Sequence, residues 1–178
     1  GIRCFIEYCY DKKIITKLTN LVLTGSGFVN TVILSTNPFF VKVEMKTDSK
    51  ITIKPITINQ NKYIANVINT GVNHAVIICD DLNKALSDAK DIYECSNFNK
   101  EVNIDFVKIT KDIYLKTYER GVGFTKACGT GALATYLVLK ENNIIVDNEI
   151  NILVDGGIIK AGVDKNGPYI IGPSELIK

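Results

Sequence analysis

Several features that the sequence lacks exclude whole classes of protein. The 178-residue chain has no apolar run long enough to span a bilayer, and its start lacks the charged and apolar regions of a signal peptide. Its five cysteines are odd in number and show no CxxC spacing, which argues against a disulfide framework or a zinc knuckle. With a net charge of +2 and scattered lysines, it also lacks the basic stripe of a nucleic-acid binder. We therefore expect a cytoplasmic protein with free thiols that binds neither membranes nor nucleic acid.

Arginine and histidine are also scarce. Arg3 and Arg120 are the two arginines, and lysine supplies the remaining basic charge, so the arginines are candidates for bidentate hydrogen bonding. His74 is the single histidine, while Asp80 and Asp81 fit as caps of a following helix, so the ligand count for a metal site fails. No phosphate loop accompanies a lysine that could carry pyridoxal phosphate. We expect neither a metal nor a cofactor.

The first third of the chain combines one helix with a group of strands. Residues 2–13 carry apolar side chains at helical spacing, and residues 17–45 are rich in β-branched residues. Breaks at Gly25-Ser26-Gly27 and at Asn37-Pro38 divide the second region into three predicted strands. Residues 47–63 are polar and contain Pro55, so we expect them to link two lobes.

The rest of the chain repeats this mixture. It predicts a strand, a turn at Thr70-Gly71, a strand through Ile78, a helix capped by Asp81, two strands, a helix to about Glu141 and three final strands. The predicted fold class is therefore α+β. We divide the chain into 1–57, the remnant of an N-terminal lobe, and 58–178, a C-terminal lobe whose last strand can return to the first lobe.

The segment "YERGVGFTKACGTGALATYLVLK" carries the strongest chemical pattern. A helix that starts near Gly129 directs unsatisfied amides and the positive end of its dipole outward, so a carboxylate can bind there, with the Thr130 hydroxyl as a further donor. Cys128 precedes these amides, and we expect the dipole to lower its pKa below the ordinary value of about 8.5. The alternative interpretation is that Cys128 is a small packing residue in a glycine-rich turn.

A thiolate beside a carboxylate site suggests two chemistries. One is nucleophilic attack, with His74 as the adjacent base. The other is proton removal from the carbon next to the carboxylate, for which a racemase needs a second acid on the opposite face. The sequence Gly1-Ile2-Arg3, which opens the other helix, looks like the remnant of a second motif of this kind.

Five ordered segments carry a family resemblance. "YERGVGFTKACGTGALA" resembles the second active-site motif of diaminopimelate epimerases, and "GIRCFIEYCYDK" resembles the end of their first motif; "NTGVNHAVII", "VNIDFV" and "DGGIIKAGVDKNGPYIIGPSELI" also match in order. The resemblance implies cofactor-independent epimerisation of LL-2,6-diaminopimelate to its meso form, in lysine and peptidoglycan-precursor synthesis. It implies two pseudo-symmetric lobes, each a curved, mostly antiparallel sheet around a central helix, with the first lobe truncated here.

The same resemblance assigns roles by position. It implies three catalytic residues, namely Cys128, His74 and Glu119. It implies six substrate contacts, namely Asn73, Asn103, Glu119, Arg120, Gly129 and Thr130. Among these, Gly129 and Thr130 are expected to bind the reacting carboxylate, whereas Glu119 and Arg120, helped by Asn103, hold the distal amine and carboxylate. Both side chains can reach one ligand only if the strand turns there, and Gly121 permits that turn.

Departures from the family pattern leave alternatives open. The first catalytic cysteine would lie just before residue 1, and we expect the chain to be a fragment; Cys4 corresponds to a packing cysteine. Val72-Asn73 replaces an expected Asn-Pro pair, and Phe124 replaces a glutamate, so the distal specificity is open. The alternatives are a racemase of another amino acid, such as proline, hydroxyproline or histidine, a non-catalytic ligand-binding fragment, and a thiol hydrolase that uses Cys128 and His74. A homodimer is also left open.

Overall fold

The computed structural model describes residues 1–25 and 27–176. The helices within these residues are α1 Ile2–Asp11, α2 Leu82–Ser87, α3 Ala89–Glu94 and α4 Gly129–Glu141. The strands are β1 Thr19–Thr24, β2 Gly27–Thr36, β3 Phe39–Glu44, β4 Asp48–Ile58, β5 Asn61–Asn69, β6 Asn73–Ile78, β7 Asn103–Ile109, β8 Ile113–Glu119, β9 Gly123–Phe124, β10 Glu149–Val154, β11 Gly157–Asp164 and β12 Gly167–Pro173. Ser26, the centre of the predicted Gly-Ser-Gly break, and the last two residues of the predicted second lobe lie outside the described residues.

The described strands form one twelve-stranded, mixed sheet. Its order is β1-β2-β3-β12-β11-β10-β8-β7-β6-β5-β4, with the short β9 beside β8. Most neighbours are antiparallel, and the pairs β6–β7 and β8–β10 are parallel. Because β12 pairs with both β11 and β3, the final strand joins the strands of residues 1–57 to the rest of the sheet. The division at residue 57 stays a prediction.

Helix α4 lies in the main core. Its residues are small or apolar on every side, from Ala132 and Leu133 to Val138 and Leu139, and these four side chains are fully buried. A helix that is apolar all round needs cover on all sides. Here β5 to β8, β11 and β12 surround it. Helix α1 packs on β3 and adds Ile6 to the same core. Among the described residues, no helix is long and apolar enough to cross a membrane.

A second core lies on the other face of β7. Ile104 and Phe106 point into it, towards α2 and α3, whereas Val107 belongs to the core around α4. Asp81 caps α2 as predicted, by accepting a hydrogen bond from the Lys84 N–H at 3.0 Å. The single helix expected here is divided into α2 and α3 at Asp88, which is the C-cap of one helix and the N-cap of the next.

The prediction that residues 47–63 link two lobes is wrong. Most of this segment is strand β4, which pairs with β5 in antiparallel fashion, with Pro55 opposite Ile64. Strand β4 stands at the end of the strand order, and an edge strand tolerates proline because one side of its backbone needs no ladder hydrogen bond. The polar residues and Pro55 therefore indicate a sheet edge rather than a linker.

Two parts of the chain repeat each other at a constant offset of 130 residues. Each part is a helix, a turn and a β-hairpin: α1 with β1 and β2, and α4 with β10 and β11. The residue after each helix turn has a left-handed backbone, with φ of 57° at Lys13 and 55° at Asn143. The hairpin glycines Gly27 and Gly157 also correspond, with φ of 98° and 124°. This repeat confirms the predicted pseudo-symmetric α+β architecture.

Candidate active site

A pocket of about 320 Å³ lies where α1 and α4 both begin. Its walls come from the starts of the two helices, from the ends of β3 and β8, and from the middle of β12. We call it the Cys128 pocket; it is lined by Gly1, Ile2, Arg3, Cys4, Val43, Met45, Glu119, Ala127, Cys128, Gly129, Thr130 and Ile170. Residues far apart in the sequence therefore meet around the thiol that the sequence singles out.

Cys128 is the N-cap of α4. It has extended backbone angles, and its Sγ accepts a hydrogen bond from the Gly131 N–H at 3.4 Å. Its Sγ also lies 3.3 Å from the Thr130 hydroxyl. The residue is only 6% exposed. The thiol therefore caps the helix at the pocket wall, in the position where a serine or aspartate side chain usually serves.

The expectation of a lowered pKa at Cys128 is wrong. Burial, followed by the negative charge of Asp105, raises the pKa of this thiol to about 12, and the charge of Glu119 adds to the effect. The contacts of the sulfur with Thr130 and Gly131 act in the opposite direction but do not outweigh these causes. Desolvation disfavours the charged form of any acid, and here it exceeds the effect of the helix terminus. In this structure Cys128 is a protonated thiol.

Arg3 closes the pocket opposite the thiol. Its Nε donates a hydrogen bond to the Pro173 carbonyl at 3.3 Å, and burial lowers its pKa. Two glycines make room for its guanidinium: a Cβ atom at Gly172 would lie 3.1 Å from the Arg3 Cζ, and one at Gly129 would lie 3.4 Å from Nη1. The side chain thus reaches from α1 across β12 to the first turn of α4.

His74 is fully buried behind the pocket. Its Nδ1 lies 2.6 Å from the Asp105 Oδ2, and its Nε2 lies 2.9 Å from the Thr130 hydroxyl. It reaches Cys128 through Thr130, whose hydroxyl lies between the ring and the sulfur. The structure therefore places His74 near the thiol, with Thr130 as the intermediate group.

Asn103 joins this cluster to the end of β8. Its Oδ1 accepts a hydrogen bond from the Arg120 N–H at 2.8 Å, and its Nδ2 lies 3.4 Å from the His74 Nε2. The buried Thr70 donates to the Thr130 carbonyl at 3.1 Å. Asn103 thus contacts the backbone of Arg120 rather than its side chain.

The structure brings only some of the residues predicted to bind the distal end of the substrate to the pocket. Glu119 lines the Cys128 pocket, and its Oε1 accepts a hydrogen bond from the Thr125 hydroxyl at 2.6 Å. The expected turn follows it, with φ of 75° at Gly121. Arg120 and Asn73 are exposed and do not line the pocket. Their roles in binding a substrate stay predictions, as do those of the other site residues.

Sequence reasoning missed the polar residues behind the pocket. Asp105 is fully buried, and Thr117 donates to its Oδ1 at 2.7 Å. A Cβ atom at Gly131 would lie only 2.4 Å from the same oxygen, so the first turn of α4 rests directly on the carboxylate. The pattern "VNIDFV" could have revealed this, because Asn103 and Asp105 alternate on one face of an otherwise apolar strand.

A larger cleft, of about 540 Å³, lies beside α1 and contains none of the predicted site residues. Glu7, Tyr10 and Phe39 are among the residues that line it. We place the candidate site at the smaller Cys128 pocket because the thiol, the helix amides and the buried polar cluster converge there. Within residues 1–25 and 27–176, no group of three or more His, Cys, Asp or Glu side chains is arranged to hold a metal ion.

Comparison with known sequences gives a consistent result. A family model described as diaminopimelate epimerase matches residues 66–177. The diaminopimelate epimerase of Clostridium perfringens is 29% identical over 194 residues, which cover 99% of this chain and 70% of the relative. That of Methanocella arvoryzae is 31% identical over 191 residues, which cover 99% of this chain and 68% of the relative.

Solved structures share the fold at low identity. A hydroxyproline epimerase from Agrobacterium vitis, with bound trans-4-hydroxy-L-proline, gives a TM-score of 0.76 at 12% identity. A probable proline racemase from Agrobacterium radiobacter gives 0.73 at 14% identity. Each comparison covers 99% of this chain, which spans only 64% and 66% of those two chains.

The fold and the relatives together define the class, which is that of the amino-acid epimerases and racemases. The relatives narrow the class further. The chain belongs to the diaminopimelate epimerase family.

Proposed function

We propose that the protein epimerises LL-2,6-diaminopimelate to meso-diaminopimelate by thiol acid–base chemistry. The observation that carries this proposal is the position of Cys128, whose sulfur caps α4 at the wall of a pocket that the first turn of the same helix also lines. A proton donor and a carboxylate site are therefore adjacent. An α-amino acid needs both at its α-carbon.

The first turn of α4 supplies the carboxylate site. The N–H groups of Gly129 and Thr130 have no acceptor within the helix, and the dipole adds partial positive charge at this end. Arg3 brings a guanidinium to the same pocket. A carboxylate bound here would spread the negative charge that develops when the α-proton leaves.

The internal repeat supports a second thiol. The offset of 130 residues makes Gly131 correspond to Gly1, and Cys128 lies three residues before Gly131. We therefore propose that a second thiol acts on the α1 side of the pocket. Two thiols on the two sides of the pocket would address opposite faces of one carbon.

The proposed reaction is balanced without an added reagent. A thiolate on one face takes the α-proton, and the electron pair left on the carbon is delocalised into the bound carboxylate. The Cys128 thiol then gives its proton to the opposite face, so its S–H bond breaks and a new C–H bond forms. The Cys128 sulfur is left as a thiolate, and the sulfur that took the α-proton is now a thiol. The raised pKa of Cys128 favours the protonated form that this step requires.

The family resemblance also supports the cellular context. We propose a role in the synthesis of lysine and peptidoglycan precursors, in the cytoplasm, with a free amino acid as the substrate. We also propose a homodimer, which light scattering on the purified protein would test.

A second candidate is the racemisation of a different amino acid. Glu119 lines the pocket, whereas the side chain of Arg120 is exposed, so the pair of opposite charges needed for a zwitterionic far end is not assembled there. Phe124, which packs edge-on against Tyr118 at 5.2 Å, replaces the glutamate expected from the family pattern. Both features favour a substrate with a simpler side chain.

Proton exchange in D2O separates these possibilities. The purified protein is incubated with LL-diaminopimelate, proline or hydroxyproline, and deuterium at the α-carbon is followed by mass spectrometry. We expect exchange with diaminopimelate, its loss in Cys128→Ser, and its retention in the control Cys95→Ser, since Cys95 packs against the second core.

Each other outcome has a definite meaning. Exchange with proline or hydroxyproline alone would select the second candidate. Binding without exchange would identify a ligand-binding protein, and thioester hydrolysis that depends on Cys128 would identify a hydrolase. Full exchange in Cys128→Ser would exclude this thiol from the chemistry.

A further inference from the structure

The cluster behind the Cys128 pocket contains a buried carboxylate without an assigned role. Asp105 is fully buried on β7, opposite Thr117 of β8 in the strand register. Its two oxygens have separate partners, since Oδ1 accepts from the Thr117 hydroxyl and Oδ2 lies 2.6 Å from the His74 Nδ1. A carboxylate can only accept hydrogen bonds, so the His74 Nδ1 carries a proton.

Asn103 fixes the state of the other ring nitrogen. Its Oδ1 accepts from the Arg120 backbone N–H at 2.8 Å, which determines the orientation of the amide. Its Nδ2 must then face the His74 Nε2, at 3.4 Å, and an amide nitrogen can only donate. The Nε2 atom is therefore an acceptor, and His74 is neutral with its proton on Nδ1.

The direction of the remaining hydrogen bonds follows from this tautomer. Because Nε2 accepts, the Thr130 hydroxyl donates its proton to it at 2.9 Å. The Thr130 oxygen can then only accept a hydrogen bond from Cys128, whose Sγ is 3.3 Å away. Cys128 must be the donor, which it can be only as a thiol.

We propose that Asp105 is a positioning residue which, by fixing the Nδ1-protonated tautomer of His74, orients Thr130 to accept a hydrogen bond from Cys128 and so holds Cys128 as a proton donor. The proposal deepens the epimerase function proposed above and rests on it. Gly131 is part of the arrangement, since any side chain there would displace the Asp105 carboxylate.

Replacement of Asp105 should reverse the chain of hydrogen bonds. Without the carboxylate, the Nδ1 proton loses its acceptor, which removes the main preference for this tautomer, although Asn103 still faces Nε2. His74 can then carry its proton on Nε2 and donate to Thr130, whose hydroxyl can in turn donate to the sulfur. Both this change and the loss of a nearby negative charge stabilise a thiolate. Arg3 and Glu119 also line the Cys128 pocket, and they are unchanged by the substitution.

The single histidine of the chain allows a direct test. In purified, ¹⁵N-labelled protein without a histidine tag, a long-range ¹H–¹⁵N correlation spectrum reports the tautomer of His74 alone. We expect a protonated Nδ1 and an unprotonated Nε2. A proton on Nε2 in the unmodified protein would overturn the proposal without any variant.

Asp105→Leu tests the role of the carboxylate, because an asparagine oxygen at this position could still accept from the His74 Nδ1–H. We expect loss of the fixed Nδ1-protonated form and an increase of about tenfold in the rate at which iodoacetamide labels Cys128 at a fixed pH, read by peptide mapping. Asp88→Leu is the matched control: Asp88 is another buried aspartate, with hydrogen bonds from Asn59, Asn61 and Tyr63. Its replacement should leave both readouts unchanged.

An unchanged tautomer and an unchanged labelling rate in Asp105→Leu would refute the positioning role. Neither readout requires turnover. A protein that shows the predicted tautomer but exchanges no α-proton of diaminopimelate would contradict only the proposed function, and an active protein with the opposite tautomer would contradict only this inference.

Discussion

Two helices begin at the same pocket, and their surroundings differ. Helix α4 has eight buried residues among thirteen, and its N-cap side chain, from Cys128, accepts a hydrogen bond from Gly131. Helix α1 has two buried residues among ten, Ile6 and Cys9. The backbone repeat is therefore maintained, while burial is concentrated on α4.

The charges around the two helix starts differ as well. Behind α4 lie the carboxylates of Asp105 and Glu119, both of which raise the pKa of Cys128. The start of α1 contributes the guanidinium of Arg3. Opposite charges at the two walls would favour a thiol on one side and a thiolate on the other, which suits a reaction that needs one acid and one base. Thiol labelling and substitutions in the two helices and in the turns that follow them test this contrast.

Thiol labelling should give the largest difference. At pH 9, Cys128 has a pKa of about 12 in the folded protein, so iodoacetamide should label it more slowly than in urea-unfolded protein by a factor on the order of several hundred. Cys4, an exposed thiol of α1, should change far less on unfolding. Peptide mapping by mass spectrometry measures both sites in one sample. Rapid labelling of folded Cys128 at pH 9 would show that the site favours a thiolate.

The second largest difference should be between alanine substitutions at Gly131 and Gly1, which correspond in the repeat, in their effect on the free energy of unfolding. In Gly131→Ala the new Cβ would lie 2.4 Å from the Asp105 Oδ1 and 3.1 Å from the Thr117 hydroxyl, so we expect a loss of about 3 kcal/mol in the free energy of unfolding. In Gly1→Ala the new Cβ would meet no atom within 4 Å, and we expect a change of less than about 0.5 kcal/mol. Urea unfolding measures both, and equal effects would contradict the described packing.

The sequence predicts the parts of this comparison that depend on local pattern. Apolar spacing predicts α1 and α4, and the motif around Cys128 predicts a helix N-terminus with a thiol directly before it. The sequence does not predict the pKa of that thiol, because the pKa depends on burial and on the charge of Asp105. Asp105 is far from Cys128 along the chain and comes near it only when the protein folds. The sequence also predicts a linker where β4 lies, because Pro55 is compatible with both a linker and an edge strand. Only the pairing of β4 with β5 distinguishes the two.

Buried and exposed positions of the two helices should differ by about 2 kcal/mol. Val138 of α4 is fully buried in the main core, whereas its counterpart Tyr8 of α1 is 47% exposed. Val138→Ala removes two methyl groups and leaves a cavity, so we expect a loss of about 2 kcal/mol in unfolding free energy. Tyr8→Ala should cost less than about 0.5 kcal/mol. A large cost at Tyr8 would mean that another surface covers α1 in solution.

The smallest effect should come from the turns that follow the two helices. Lys13 and Asn143 both have a left-handed backbone, with φ of 57° and 55°, which costs most residues about 1 kcal/mol or more but suits glycine and, to a lesser degree, asparagine. Lys13→Gly should therefore stabilise the protein by about 0.5 to 1 kcal/mol, whereas Asn143→Gly should change stability by less than about 0.3 kcal/mol. Differential urea unfolding of the two variants against the unmodified protein measures this. Destabilisation by Lys13→Gly would mean that the lysine side chain contributes contacts that outweigh the backbone strain, and the two turns would then differ in more than their residue type.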